Sequence, residues 1–170
     1  DRDLLLSIAD WCDRYTPLVA QDGDDGLFLD ITGCTHLFGG EEALLQDVLS
    51  RLFRMGFDVR GAIASSPGLA WAVAHFGRGG VIGENVRDIL MPFPIQALRL
   101  ETDLVASLSK LGLKRIRDLA AAPRAPLVRR FGIRLMQRLD QALGYEEEPI
   151  SPRRAVASLS AERRLAEPIV

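Results

Sequence analysis

The run Gly23-Asp24-Asp25-Gly26-Leu27-Phe28-Leu29-Asp30-Ile31-Thr32-Gly33 sets the strongest local demand in this chain. Leu27, Leu29 and Ile31 alternate with Phe28, Asp30 and Thr32, the period of a strand with two unlike faces. Pro17 to Ala20 reads as a second short apolar strand. Asp22-Gly23-Asp24-Asp25-Gly26 between them is turn-rich and favours a hairpin. Carboxylates at such a tip can be offered to a divalent cation. Asp22, Asp24 and Asp25 are equally good plain turn residues, and composition alone favours that simpler role.

The remaining elements follow from apolar spacing. Residues 3–14 read as a helix with Leu4, Leu5, Ile8, Trp11 and Cys12 on one face, ended by Thr16-Pro17. Gly33 to Gly40 reads as a loop with Leu37-Phe38 tucked in and His36 at its surface. Residues 41–55 give the clearest helix, with a stripe of Leu44, Leu45, Val48, Leu49, Leu52 and Phe53. Glu41-Glu42 suit its positive end and Gly56 stops it. Phe57 to Ala64 reads as a central strand. Ser66-Pro67 starts a helix that carries His75 as a packing residue and ends at Gly77. A strand at Val81-Ile82 and a helix over 84–91 lead to Pro92-Phe93-Pro94, a natural boundary. Beyond it the pattern is helical, over 101–111, 114–121, 124–130 and 132–143. The tail opens on Glu146-Glu147-Glu148-Pro149, reads as linker, and holds one isolated strand over 155–159. The expected class is α+β: a mixed sheet with packed helices, followed by a small all-helical part.

Charge divides the chain. Residues 1–94 carry 7 Lys/Arg against 14 Asp/Glu, whereas residues 95–170 carry 14 against 9. Nine basic residues and one acid, Asp118, fall between 110 and 138. Two modules are implied, the second either turned toward a polyanion or presenting a solvated, Arg-rich helical surface, and the charge count alone does not choose between them. No apolar run approaches the roughly 18 residues of a membrane span. Residue 1 opens directly into a helical pattern rather than a signal peptide. Cys12 and Cys34 lack metal spacing, so a reduced, cytoplasmic protein is expected.

Among chemistries, an EF-hand over Asp22-Gly23-Asp24 fails because its twelfth position is Gly33 rather than Glu. No Ser-His-Asp or Cys-His set is legible, and Gly79-Gly80 lacks a phosphate-binding lysine. Two-metal transfer needs several carboxylates around two cations. Asp25 alone cannot supply them, and Asp30, with period-two neighbours Phe28 and Thr32, serves the fold. DNA binding stands better. A helix starting after Gly132 offers free amides to a phosphate, Arg129 and Arg130 lie just before it, and Arg134 and Arg138 share one face at i and i+4. Leu135, Leu139 and Leu143 would pack inward. Such contacts position a duplex without reading its sequence.

These stretches together resemble the Y-family (translesion) DNA polymerases. Phe28-Leu29-Asp30-Ile31-Thr32 is similar to the family's palm strand, which places its catalytic Asp on Asp25 and the partner Glu on Gly26. Arg130-Phe131-Gly132-Ile133-Arg134, running on to Leu143-Gly144, resembles a thumb pattern, with short helices like those of helix-hairpin-helix modules. Ala157 to Leu165 resembles the lead into the little finger. The resemblance implies a partial palm over 1–93, a thumb over 94–145, and linker with the start of the little finger over 146–170. The departures agree with one another. Gly26 replaces an acid, Ser66-Pro67 stands for Asn-Lys, Gly77-Arg78-Gly79 for a Lys-Pro that helps hold the triphosphate, and Arg99-Leu100-Glu101 for Gly-x-Gly. They are similar to the inactive ImuB-like relatives of a bacterial DNA-damage mutagenesis cassette. That likeness implies a non-catalytic adaptor without a cofactor. Its partners would be DNA, the sliding clamp, an error-prone C-family polymerase and a RecA-like accessory protein, in a nucleoid-associated, cytoplasmic setting. Two alternatives stand beside it. One is an active translesion polymerase whose further acids lie upstream and which needs Mg²⁺. The other is a protein-interaction module that never touches DNA.

Overall fold

The computed structural model describes residues 2–153. The expected strand over 155–159 and the 157–165 segment lie outside the described residues. Two compact units emerge, Asp1–Ile31 with the chain from Ser151, and Thr32–Ile150.

In the first unit, helix α1 (Arg2–Cys12) packs on a hairpin of β1 (Val19–Asp22) and β2 (Gly26–Leu29). Ala9, Cys12 and Val19 form the buried centre, with Ile8, Trp11, Leu27 and Leu29 packed against it. The period-two pattern therefore does what it implies: Leu27 and Leu29 face the helix. The strands are offset from expectation, because Val19 pairs with Leu29 and Asp22 with Gly26, so Gly23, Asp24 and Asp25 alone make the turn. Thr16 closes the open end. Its hydroxyl donates to the Asp30 carbonyl at 2.6 Å and accepts from the Leu18 amide at 3.1 Å. Asp30 thus takes part in the fold through its backbone. Burial, helped by the charge of Asp13, pushes the Cys12 thiol up to about 11, which makes it a packing group rather than a nucleophile.

The second unit contains α2 (Glu41–Arg54), β3 (Ala62–Ile63), α3 (Pro67–Phe76), β4 (Gly80–Val81), α4 (Val86–Leu90), α5 (Thr102–Lys110), α6 (Ile116–Ala121), α7 (Arg124–Phe131) and α8 (Arg134–Leu143). Two 3-10 turns, Thr35–Phe38 and Ile95–Leu98, were not legible beforehand. One hydrophobic cluster runs through Leu69, Val73, Leu90, Ile95, Leu98, Leu108, Ile116, Leu119, Leu127, Leu135 and Leu139. It takes residues from both sides of Pro92-Phe93-Pro94, so packing does not part there. Ser66 caps α3 as expected, its hydroxyl accepting from the Leu69 amide at 3.2 Å. Asp118 caps α6: its carboxylate accepts from the amides of Lys114 and Arg115. The Arg115 bond foremost holds its carboxyl below the usual range.

Three expectations need correction. The central strand over 57–64 shrinks to Ala62–Ile63, paired in parallel with Gly80–Val81. Its partner is short because it enters through Gly79 and Gly80, both at positive φ, and a Cβ on Gly79 would lie 2.6 Å from the Gly61 carbonyl oxygen. Leu37 and Phe53 are exposed rather than packed. Phe53 follows Leu52 by one residue, which turns it some 100° away from the buried line of Leu44 and Leu52. His75 is exposed as well, stacked on Trp71 at 3.8 Å with Nδ1 against the Trp71 carbonyl.

Burial separates two substitutions of similar chemistry. In the full-length protein, Leu139→Ala is expected to cost about 2–5 kcal/mol of stability by denaturant unfolding. Phe53→Ala, at a side chain 74% exposed, should stay within about 0.5 kcal/mol.

Candidate nucleic-acid interface

At the acidic tip, Asp24 and Asp25 are exposed and Asp22 is half-buried. Gly26 closes the hairpin opposite Asp22, and a Cβ built on it would lie 2.8 Å from the Asp22 carbonyl oxygen and 3.3 Å from the Asp22 Cβ. The obstacle is backbone, which cannot swing aside as the end of a flexible side chain could. The position next to Asp25 therefore lacks a carboxylate and also lacks room for one. Among the described residues, no group of three or more His, Cys, Asp or Glu could hold a metal ion. The residues present do not fit a two-cation site.

The basic residues sort into two sets. Arg124 donates twice to the Asp140 carboxylate, at 2.8 and 2.6 Å. Arg115 donates to the Pro92 carbonyl at 2.7 Å. Arg138, expected beside Arg134 on an open face, instead donates to Glu148 Oε1 at 2.7 Å, and its side chain is 27% exposed. Arg99 reaches the same Glu148 oxygen. Arg99 holds a left-handed backbone with φ of 55°, at a cost of about 1–2 kcal/mol for a residue with a Cβ.

Arg129, Arg130 and Arg134 form the second set. All three are exposed, and among the described residues none of them enters an ion pair. They surround the α7–α8 junction, where Gly132 turns the chain at φ of 85°. The first amides of α8 have no acceptor inside the helix. The buried side chains Leu135, Met136, Leu139, Ala142 and Leu143 hold the other face of α8 against the core. The junction thus joins three unneutralised guanidiniums to a helix N-terminus, a combination suited to phosphate oxygens.

Sequence reasoning missed Glu148. It read the acidic run as linker, yet this side chain is 11% exposed between two arginines. Arg153 likewise anchors its own segment. Its amide donates to the Val19 carbonyl at 2.9 Å, and its guanidinium to Asp10 at 2.5 Å and Asp13 at 2.7 Å.

No family model matches the chain. It is 48% identical over 172 residues to Protein ImuB of Caulobacter vibrioides (strain NA1000 / CB15N), covering 99% of this chain and 37% of that protein. DNA polymerase IV of Shewanella woodyi is 25% identical, covering 99% of this chain and 48% of that protein. The crystal structure of DinB from Sulfolobus solfataricus superposes with a TM-score of 0.72 at 20% identity, over 89% of this chain and 47% of that one. This is a Y-family polymerase-like chain. It spans less than half the length of these relatives. Its α+β class, with small sheets followed by an all-helical part, is that of Y-family polymerase fragments. Among the described residues, no helix of this Y-family-like chain is long and apolar enough to cross a membrane.

The tight hairpin gives a direct test. Gly26→Ala, which adds only the Cβ, should destabilise the full-length protein by about 1–3 kcal/mol in denaturant unfolding, as overpacking does. Asp25→Ala, at the exposed tip, should stay within about 0.5 kcal/mol.

Proposed function

We propose that this chain is the DNA-holding part of a non-catalytic, Y-family-like adaptor in DNA-damage tolerance. The observation that carries the reading is the unpaired set Arg129, Arg130 and Arg134 at the start of α8, around Gly132. Guanidiniums and helix amides of this kind grip backbone phosphates and leave base edges unread, so binding is independent of sequence. The likeness to ImuB and to DNA polymerase IV supports a role in damage-related DNA transactions. In this reading residues 1–93 derive from the palm, 94–145 from the thumb, and 146–170 lead into the little finger. The sliding clamp, a C-family polymerase and a RecA-like accessory protein are the proposed protein partners of the whole molecule, in a nucleoid-associated, cytoplasmic setting. Arg138, counted at first among the phosphate ligands, is set apart by its bond to Glu148.

Catalysis is not part of the proposal, because Gly26 has no room for the acid that two-cation transfer needs beside Asp25. The full-length protein is expected not to extend a primed template with Mg²⁺ or Mn²⁺. Template-dependent incorporation abolished by Asp25→Ala would instead establish the active-polymerase reading.

Binding is tested by titrating duplex DNA at several salt concentrations. Each phosphate contact contributes about 0.9 to the log–log slope. Arg130→Ala/Arg134→Ala should therefore make the slope of the full-length protein shallower by roughly 1.8. An unchanged slope and affinity would move the interaction-module reading ahead.

A further inference from the structure

Helix α2 is packed on one side only. Leu44 and Leu52 are buried, and Leu45 and Leu49 lie over Gly61, where a Cβ would stand 3.1 Å from each side chain. The opposite side carries Ala43, Gln46, Ser50 and Phe53. Ala43, Gln46 and Phe53 are exposed and Ser50 is half-buried. Their spacing of three, four and three residues draws one narrow seam along the helix, the spacing by which one helix meets another. Phe53, at 74% exposure, is the most exposed large apolar side chain among the described residues. A single apolar group in water needs no partner. Here the rest of the seam supplies one.

The seam is complementary to itself when reversed. Turned end for end about the level of Val48, it sets Phe53 opposite Ala43, and Gln46 opposite Ser50. A large side chain then meets a small one, and an amide donor meets a hydroxyl. The Ser50 hydroxyl donates to the Asp47 carbonyl at 3.2 Å, which leaves its oxygen to accept. Charge agrees with shape. Glu41 and Glu42 begin the helix and Arg54 ends it. All three are exposed, and among the described residues none of them enters an ion pair. Antiparallel pairing brings acidic ends level with basic ends and opposes the helix dipoles. A parallel pair would instead set acid beside acid and Phe53 beside Phe53.

We propose that α2 pairs antiparallel with α2 of a second copy of this chain, forming a two-fold symmetric dimer. The seam of each copy is covered by the same seam of the other. A helix of 14 residues is about 21 Å long. It offers less than the roughly 800 Å² per partner of a stable complex, so the dimer is weak and reversible, with a dissociation constant of about 10–100 μM. The inference uses neither the arginines of α8 nor DNA, so it stands or falls apart from the DNA-binding reading.

The test is sedimentation equilibrium of the full-length protein without DNA, over about 2–200 μM. The wild type should pass from monomer toward dimer across this range. Phe53→Glu places a charge in the seam and should weaken association about tenfold or more, while the monomer keeps its melting temperature. Glu41→Lys/Glu42→Lys should weaken association about threefold, and adding Arg54→Glu should recover it. Register is read by oxidative cross-linking. Gln46→Cys mixed with Ser50→Cys should form disulfide-linked dimers faster than either variant alone, because only the mixture sets one cysteine opposite another. A wild type that stays monomeric throughout would overturn the proposal. So would a dimer that Phe53→Glu leaves unchanged. Unfolding of Phe53→Glu beside a monomeric wild type would also overturn it, by showing that another part of the same chain covers the seam. If Phe53→Glu unfolds and the wild type dimerises, the cysteine mixture decides: no preference for the mixed pair would overturn the antiparallel contact.

Discussion

The second unit depends on a close crossing of α8 over the start of α3. Leu135, Leu139 and Leu69 are fully buried at this core, and Met136, Ala142 and Leu143 nearly so. The approach is tight because small residues meet there. A Cβ on Gly68 would stand 3.1 Å from the Ala142 Cα, and the Ser66 hydroxyl, also buried, lies 3.5 Å from the Ala142 carbonyl. A larger residue at either place would push the helices apart, since packed interiors leave no slack. That crossing also aims α8. With Leu135, Met136, Leu139, Ala142 and Leu143 buried on one face, Arg134 is left on the other.

What could be read from the sequence was what is local. The stripe Leu135, Leu139, Leu143, the Ser66 cap and the alternation over Leu27 and Leu29 each follow from spacing, and each packs as the spacing implies. What could not be read depends on distant partners. The length of β3 is set by Gly79 and Gly80, some seventeen residues on. Leu37 and Phe53 have the chemistry of core residues, and only the placement of neighbouring elements leaves them exposed. The same division runs through the basic surface. Counting charges located the α7–α8 junction correctly as cationic, yet a count cannot tell Arg134, which is open, from Arg138, whose partner is ten residues further on.

Gly26 shows how backbone geometry can exclude a side chain altogether. Its Cα sits opposite Asp22 in a turn of only three residues, and the Asp22 carbonyl occupies the space a side chain would need. A hairpin closed this way gains its geometry from the absence of a Cβ. The carboxylate at Asp25 then serves a turn, a role for which aspartate is suited without any metal. Residue choice and backbone conformation support each other, so the hairpin keeps its strand alternation while leaving no volume for a side chain beside Asp25.

Charge pairing decides what remains for a ligand. Arg124, Arg138 and Arg153 are each engaged by carboxylates, at Asp140, at Glu148, and at Asp10 and Asp13. The pairs of Arg138 and Arg153 hold the chain after α8, which lacks regular structure and where backbone bonding is sparse. Ion pairs at a protein surface contribute little on their own. At Glu148, however, both arginines and the acid are largely shielded from water, and screening by salt is correspondingly weaker. The exposed arginines and the shielded pair therefore respond differently to ionic strength. In the proposed reading, salt weakens the hold of Arg129, Arg130 and Arg134 on a polyanion while leaving the Glu148 contact in place. An acid beside a cationic helix can in this way set which of its arginines stay open to an anionic partner, with no change in the number of positive charges the chain carries.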